Sequence, residues 1–256
     1  MALLPIGLQL YTLRDYTETD MAGTLRRVAA LGFEMVEFAG YGGLSASELN
    51  AVLKETGLVP LSAHVPYDQL KQGLDEQIRY AKEIGLGYLI FPYVDPELLK
   101  TEEGVASLVR DLTEMGHKIK EAGLDFCYHN HDAELGTVGG ELILDRIYRL
   151  VEPELLQAEL DLYWVKKAGL DPYHYLLSYP GHVPIVHLKD MTDDEEGFFA
   201  EVGHGSMDFP ALLGAASEAG VRYLLVEQDQ CRRSPWESIE MSLNYLRSIG
   251  AAKPLT

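Results

Sequence analysis

Eight short apolar runs, each parted from the next by an amphipathic stretch, constrain this chain more than any other feature. They are Ile6 to Leu10, Met35 to Ala39, Val59 to His64, Tyr88 to Tyr93, Leu124 to His129, Leu156 to Asp161, Val183 to Leu188 and Tyr223 to Gln228. Several are almost continuously apolar, as parallel strands buried on both faces must be. The stretches between them have helical spacing. In the one starting at Asp20, apolar residues fall at Leu25, Val28, Ala29 and Leu31, and Gly32 follows as a stop. Another opens on serines suited to an N-cap and closes at Gly57. Helix, glycine, strand recurs as a unit of roughly thirty residues. Eight such units in sequence predict a closed (β/α)8 TIM barrel of the α/β class rather than an open doubly wound sheet. The 256 residues suit one such domain. No linker or low-complexity tract divides them, so residues 1–256 read as a single barrel.

Composition narrows the partners. There are 21 basic and 40 acidic residues, a net charge of −19. A duplex-binding surface needs a basic footprint to release counterions, so nucleic acid is not an expected partner. No apolar run nears the roughly 18 residues that span a membrane. The first residues, MALLPIGLQLYTLRD, lack a basic region and a small-residue cleavage site, and read as a first core strand rather than a signal peptide. Cys127 and Cys231 are the only cysteines, which fits a reducing, cytoplasmic setting better than a disulfide scaffold.

Acids and a histidine at the strand ends carry the chemistry. Asp161, His187 and Glu227 sit at the ends of strands six, seven and eight. Glu134 lies just past strand five and must reach back from its loop, with Glu141 as the alternative. All barrel strands deliver their C-terminal ends to one rim, where active sites form. Two Glu, one Asp and one His make an oxygen-rich set for one divalent ion such as Mn²⁺, Mg²⁺, Co²⁺ or Zn²⁺. The plainer alternative makes these acids helix N-caps or surface charges.

Other residues share the rim. His129 and His131 alternate onto one side of an extended segment, with Asn130 on the other. They could ligate metal, donate to substrate, carry protons or be structural. His64 ends strand three and is expected to touch substrate. Lys189 shares the strand face of His187 and could bind a substrate oxygen, or pair with Asp190 or Glu227. His204, between two glycines, could face the site or pack its loop. Tyr11, Phe91 and Trp164 lie near the rim and could wall a sugar pocket or fill core. The acidic segment Thr192 to Gly197 reads as a solvated loop.

Taken together, GLQLYTLRD, LSAH, YHNHDAEL, ELD, VHLKD, GHGSMDFPALL and VEQD resemble the sugar phosphate isomerase/epimerase family of the xylose-isomerase-like TIM barrel superfamily. That superfamily also holds inosose dehydratases, ketose 3-epimerases and endonuclease IV. The resemblance runs from Gln9 to the final helix. It implies a divalent ion held by Glu134, Asp161, His187 and Glu227, and homo-oligomers are frequent among similar proteins. The His-rich three-metal cluster of the endonuclease relatives has no clear equivalent here.

The implied substrate is a small sugar or keto-sugar. Isomerisation or epimerisation removes a proton beside a carbonyl, and a divalent ion stabilises the resulting enediolate. Glu134 and Glu227 would remove and return the proton, Asp161 and His187 would anchor the ion, and His64, His129, His131 and Lys189 would orient hydroxyls. The same apparatus can expel water, as in an inosose-dehydratase-like lyase. A non-catalytic sugar-binding barrel is the alternative from another class.

Overall fold

Parallel strands can pair in sequence order and close a ring only if each returns through a crossover, here mostly helical. The computed structural model describes residues 4–252 and has this arrangement. The barrel strands are β1 (Ile6–Gln9), β2 (Met35–Ala39), β3 (Val59–His64), β4 (Tyr88–Phe91), β5 (Asp125–His129), β6 (Gln157–Asp161), β7 (Ile185–Leu188) and β8 (Tyr223–Val226). Each pairs in parallel with its sequence neighbours, and β1 closes the ring against β8. The (β/α)8 barrel expected from the eight apolar runs is therefore present. Helices α1 (Arg14–Leu31), α2 (Ala46–Thr56), α3 (Tyr67–Ile84), α4 (Glu102–Glu121), α5 (Ile143–Leu150), α6 (Leu162–Lys167), α7 (Pro172–Leu177), α8 (Phe209–Ala219) and α9 (Pro235–Ser248) surround it.

Local chemistry sets the helix ends. Ser45 and Glu48 form a capping box that starts α2, and Gly57 ends it at φ 72°, a left-handed conformation that glycine adopts without strain. The sequence pattern begins the first helix at Asp20, but α1 starts at Arg14 and breaks at Asp20 (φ −150°, ψ 82°). The Asp20 carboxylate accepts the Gly23 amide at 2.8 Å, so it caps the second segment of α1 as an N-cap residue does.

The barrel interior is layered. Met35, Leu61, Tyr88, Ile90, Cys127, Ile185 and Leu225 form an apolar plug. A larger apolar cluster fills the space between strands and helices. Above the plug, toward the strand C-termini, the inward positions turn polar: Gln9, Glu37, Ser62, His129, Glu159, Asp161, His187 and Lys189 are all buried. No helix among the described residues is long and apolar enough to cross a membrane.

Candidate active site

The register explains why these side chains meet. Asp161 on β6 is level with His187 on β7, and His187 is level with Leu225 on β8. Inward positions recur every second residue, so His187 and Lys189 share a face, as do Glu159 and Asp161, and Leu225 and Glu227. A ring of polar groups then rises from the plug in two tiers.

The lower tier is a carboxylate–imidazole network. Glu37 Oε1 lies 2.7 Å from Gln9 Nε2, 2.9 Å from His187 Nε2 and 3.1 Å from His64 Nε2, while Ser62 donates to Oε2. Glu159 Oε1 lies 2.7 Å from His64 Nε2 and 3.1 Å from both His129 Nδ1 and His187 Nε2. Burial works against charge on all of these groups. For His64 the carboxylates of Glu37 and Glu159 outweigh it and push the imidazole up to about 10. His187 is likewise held well above the ordinary histidine range, by Glu159 and Glu227. Glu37 is driven down by His64 and His187 despite its burial. His129 falls well below the ordinary range, through burial and the neighbouring imidazoles, and is neutral.

In the upper tier, donor atoms of His129, Asp161, His187 and Glu227 lie within 4.8 Å of one another. His187 Nδ1 is 2.7 Å from Glu227 Oε2, and His129 Nε2 is 3.9 Å from Asp161 Oδ2. Lys189 Nζ sits among these oxygens, 2.8 Å from Asp161 Oδ2, 2.8 Å from Glu227 Oε2 and 2.6 Å from Asp229 Oδ1. Two imidazole nitrogens and two carboxylate oxygens around a point that already draws a cation fit a divalent ion. The lower tier supplies what such ligands need. His129 and His187 turn their other ring nitrogens to Glu159, which fixes their orientation as an outer carboxylate does around a metal. His64, His129, Glu159 and His187 also lie close enough to share an ion. There, however, Glu159 Oε1 is already shared among three imidazoles.

Asp161 combines both of the roles weighed for it. Its Oδ1 accepts the Trp164 amide at 3.0 Å as N-cap of α6, and its Oδ2 faces the upper tier. Glu227 is raised by burial, but Lys189 and His187 overcome this and hold it far below the usual carboxylate range. Burial pushes Asp229 up to about 6, against the pull of Lys189.

Not every expected residue arrives. Glu134 lies in a 3-10 turn (Ala133–Leu135), where its carboxylate accepts the Tyr128 hydroxyl at 2.9 Å and the His131 amide at 3.0 Å. It is spent closing the loop after β5 and is absent from the upper tier. Glu141 pairs with Arg149 in an outer hairpin and does not replace it. Their place is taken by His129, which was expected on this rim. Lys189 pairs with Glu227 rather than Asp190, whose carboxylate instead accepts the amides of Met191, Gly203, Gly205 and Met207. His204 is exposed and its ring lies 6.4 Å from that of Tyr245. Phe91 packs in the core between Tyr67 and Tyr128 and is fully buried. Glu37, Glu159 and Asp229 carry weight that the strand-end pattern did not assign. For Glu159 the available signal was an acid inside an apolar strand, two positions before Asp161 on the same face.

A cavity of about 870 Å³ opens over the upper tier and includes His64, His129, His131, Trp164, Lys189, Glu227 and Asp229 in its lining. His131 is pushed down to about 3, chiefly by burial, and is neutral. Its ring packs against Trp164 at 5.3 Å, and its Nδ1 is buried with no partner among the described residues.

Comparison with known proteins agrees with this architecture. Residues 25–249 match the profile of the xylose isomerase-like TIM barrel family. An inosose dehydratase from Clostridium tetani is 26% identical over 185 residues, covering 64% of this chain and 61% of that enzyme. The chain thus spans about three fifths of that relative's length. A sugar phosphate isomerase/epimerase structure from Parabacteroides distasonis superimposes with a TM-score of 0.85 at 22% identity, over 98% of this chain and 100% of that one. The IolI protein, solved with a bound zinc atom, superimposes with a TM-score of 0.73 at 15% identity, over 98% and 100% of the two chains. At these identities the solved structures speak to fold alone. The profile match covers most of the chain, which belongs to the xylose isomerase-like TIM barrel family.

Proposed function

We propose that this chain is a divalent-metal-dependent enzyme that moves a proton at the carbon beside the carbonyl of a small sugar or keto-polyol, with isomerisation or epimerisation as the outcome. The observation that carries the reading is the upper tier itself: His129, Asp161, His187 and Glu227 converge at the floor of a cavity with Lys189 and Asp229 beside them. An ion held by those four residues would supply a Lewis acid for the carbonyl and its neighbouring hydroxyl oxygen. Asp229 is the carboxylate best suited to take the proton, because burial brings it close to working pH. Lys189 places a fixed positive charge where negative charge develops on oxygen. His131, neutral and with a free ring nitrogen, orients a hydroxyl.

Loss of water is the second reading, favoured by the similarity to inosose dehydratases. His64 keeps its proton through neutral pH between Glu37 and Glu159, and lines the cavity where a departing hydroxyl needs an acid.

The test is incubation of Mn²⁺-loaded protein with ketoses, keto-sugars and inososes in D2O. Deuterium at the carbon beside the carbonyl, abolished in Asp229→Asn, is the expected result. An isomer or epimer as product supports the first reading, and a product lighter by one water supports the second. No exchange with any of these compounds would overturn the enzymatic reading.

A further inference from the structure

The cavity is larger than the chemistry at its floor requires. At about 870 Å³ it lies near the top of the range of about 300–1,000 Å³ that encloses drug-sized ligands. One sugar ring fills only a fraction of that space. The surplus lies to one side. Asp161 and His187 belong to β6 and β7, and Glu227 directly follows β8, whereas the cavity continues across the mouth over β2 and β3, the side of the eight-strand ring opposite β6 and β7. There it runs between the loop that follows β2 (residues 40–44) and α3.

This outer wing is built differently from the floor. Its cavity-lining side chains include Tyr41, Gln69 and Gln77, none of them charged. Tyr41 is held rigid by stacking on Tyr80, with ring centroids 4.1 Å apart, and Tyr80 is in turn tied to the loop by donating to the Leu44 carbonyl at 2.7 Å. The Tyr41 hydroxyl is buried with no partner among the described residues. Gln69 and Gln77 flank the break in α3 at Gly73 and touch each other at 3.3 Å, with amide groups to spare. Rigid aromatic surface beside uncharged amides is the chemistry that takes a neutral, hydroxyl-rich ring, apolar on its faces and polar at its edge. Arg14, whose guanidinium stacks over the Tyr11 ring at 4.4 Å, is the only arginine among the cavity-lining residues.

We infer that the wing between the β2–α2 loop and α3 is a second sugar subsite, so that the substrate is a two-unit glycoside whose reacting unit sits over the upper tier and whose other unit is held by Tyr41, Gln69 and Gln77. This rests on the proposed function for the identity of the reacting end. It adds the substrate class.

Calorimetric titration of the full chain in the presence of Mn²⁺ tests it, with methyl glucosides, maltose, cellobiose, trehalose, lactose and glucose 6-phosphate as probes. At least one disaccharide should bind about tenfold tighter than the methyl glucosides, a difference of about 1.4 kcal/mol. In a Tyr41→Phe/Gln77→Ala variant that advantage should shrink to about threefold or less, with methyl glucoside affinity unchanged. Tyr41→Phe removes only a hydroxyl without a partner among the described residues, and Gln77→Ala removes one contact to Gln69, so an unfolding curve matching wild type is required of the double variant. Equal affinity for one-unit and two-unit probes, or no binding of any disaccharide, overturns the subsite. Tightest binding of glucose 6-phosphate overturns it in favour of a phosphate held by Arg14. Since turnover is not read, disaccharide binding without deuterium exchange would keep the subsite and remove the enzymatic reading alone.

Discussion

Lys189 and His187 share one oxygen of Glu227: the ammonium lies 2.8 Å from Oε2, the same atom that His187 Nδ1 approaches at 2.7 Å. A divalent ion in the upper tier would draw on that atom too. Lys189 is buried, and its other partners, Asp161 and Asp229, are the nearest remaining negative charges.

Lys189 therefore competes with the ion for charge while stabilising the fold without it. Breaking a buried ion pair on one side leaves its partners uncompensated, typically at several kcal/mol. In Lys189→Met the metal-free protein should unfold at lower temperature than wild type. Mn²⁺ should bind about tenfold tighter, since one charge-assisted contact of roughly 1.5–3 kcal/mol no longer opposes it. The free-Mn²⁺ signal in electron paramagnetic resonance reads the affinity. An unchanged or weaker affinity would show that lysine and ion do not share oxygens.

Glu134 and Glu227 separate what strand ends predict from what the fold does. Glu227→Gln should lower bound divalent metal at least tenfold by elemental analysis, because it removes the negative charge of one of the four converging donors. Glu134→Gln should leave metal content at the wild-type level, and cost about 1–2 kcal/mol in urea unfolding for its impaired bonds to Tyr128 and His131. Metal loss in Glu134→Gln from a folded protein would restore Glu134 to the ligand set.

The contrast between those two residues marks how far the sequence can be read. Barrel strands announce themselves, because burial on both faces demands continuous apolar runs. Asp161, His187 and Glu227 could be placed because each directly ends one. Glu134 could not, because after His129 the chain leaves the strand and a turn decides where the side chain points. Glu37 and Glu159 were hidden for the opposite reason. They lie inside strands, and only the closed ring shows that their inward faces meet His64, His129 and His187 from other strands. Asp229 was legible as a neighbour of Glu227, but its perturbed acidity comes from burial that sequence does not report.

Gly7 is a test of the barrel's own packing. A Cβ there would meet Met35 Cγ at 2.4 Å and Leu225 Cδ2 at 2.7 Å, both in the apolar plug beneath the site. Overpacking a filled interior costs about 1–3 kcal/mol. Gly7→Ala should lose stability of that order in urea, with Met35→Ala in the same chain recovering part of the loss attributable to the clash. If Gly7→Ala is as stable as wild type, β1 and β2 are less tightly apposed than the structure has them.

His182, which is not among the residues of the two tiers, gives the stability a pH dependence of its own. Its ring packs 4.9 Å from that of Tyr148, its Nε2 is buried with no partner among the described residues, and burial lowers its pKa below the ordinary 6.5. The unfolded chain gains a proton there near pH 6.5, and the folded chain does so only at lower pH. Below 6.5 the unfolded state therefore binds more protons, so stability falls as pH falls. The contribution is complete above 6.5 and is lost as pH drops toward the folded pKa. His182→Phe keeps an aromatic ring and removes the titration. Between pH 7.5 and pH 5 wild type should lose more unfolding free energy than this variant, because the other histidines contribute equally to both. Urea melts of the two proteins at each pH read the difference. An identical loss in both would mean that His182 titrates in the folded protein as it does in the unfolded chain.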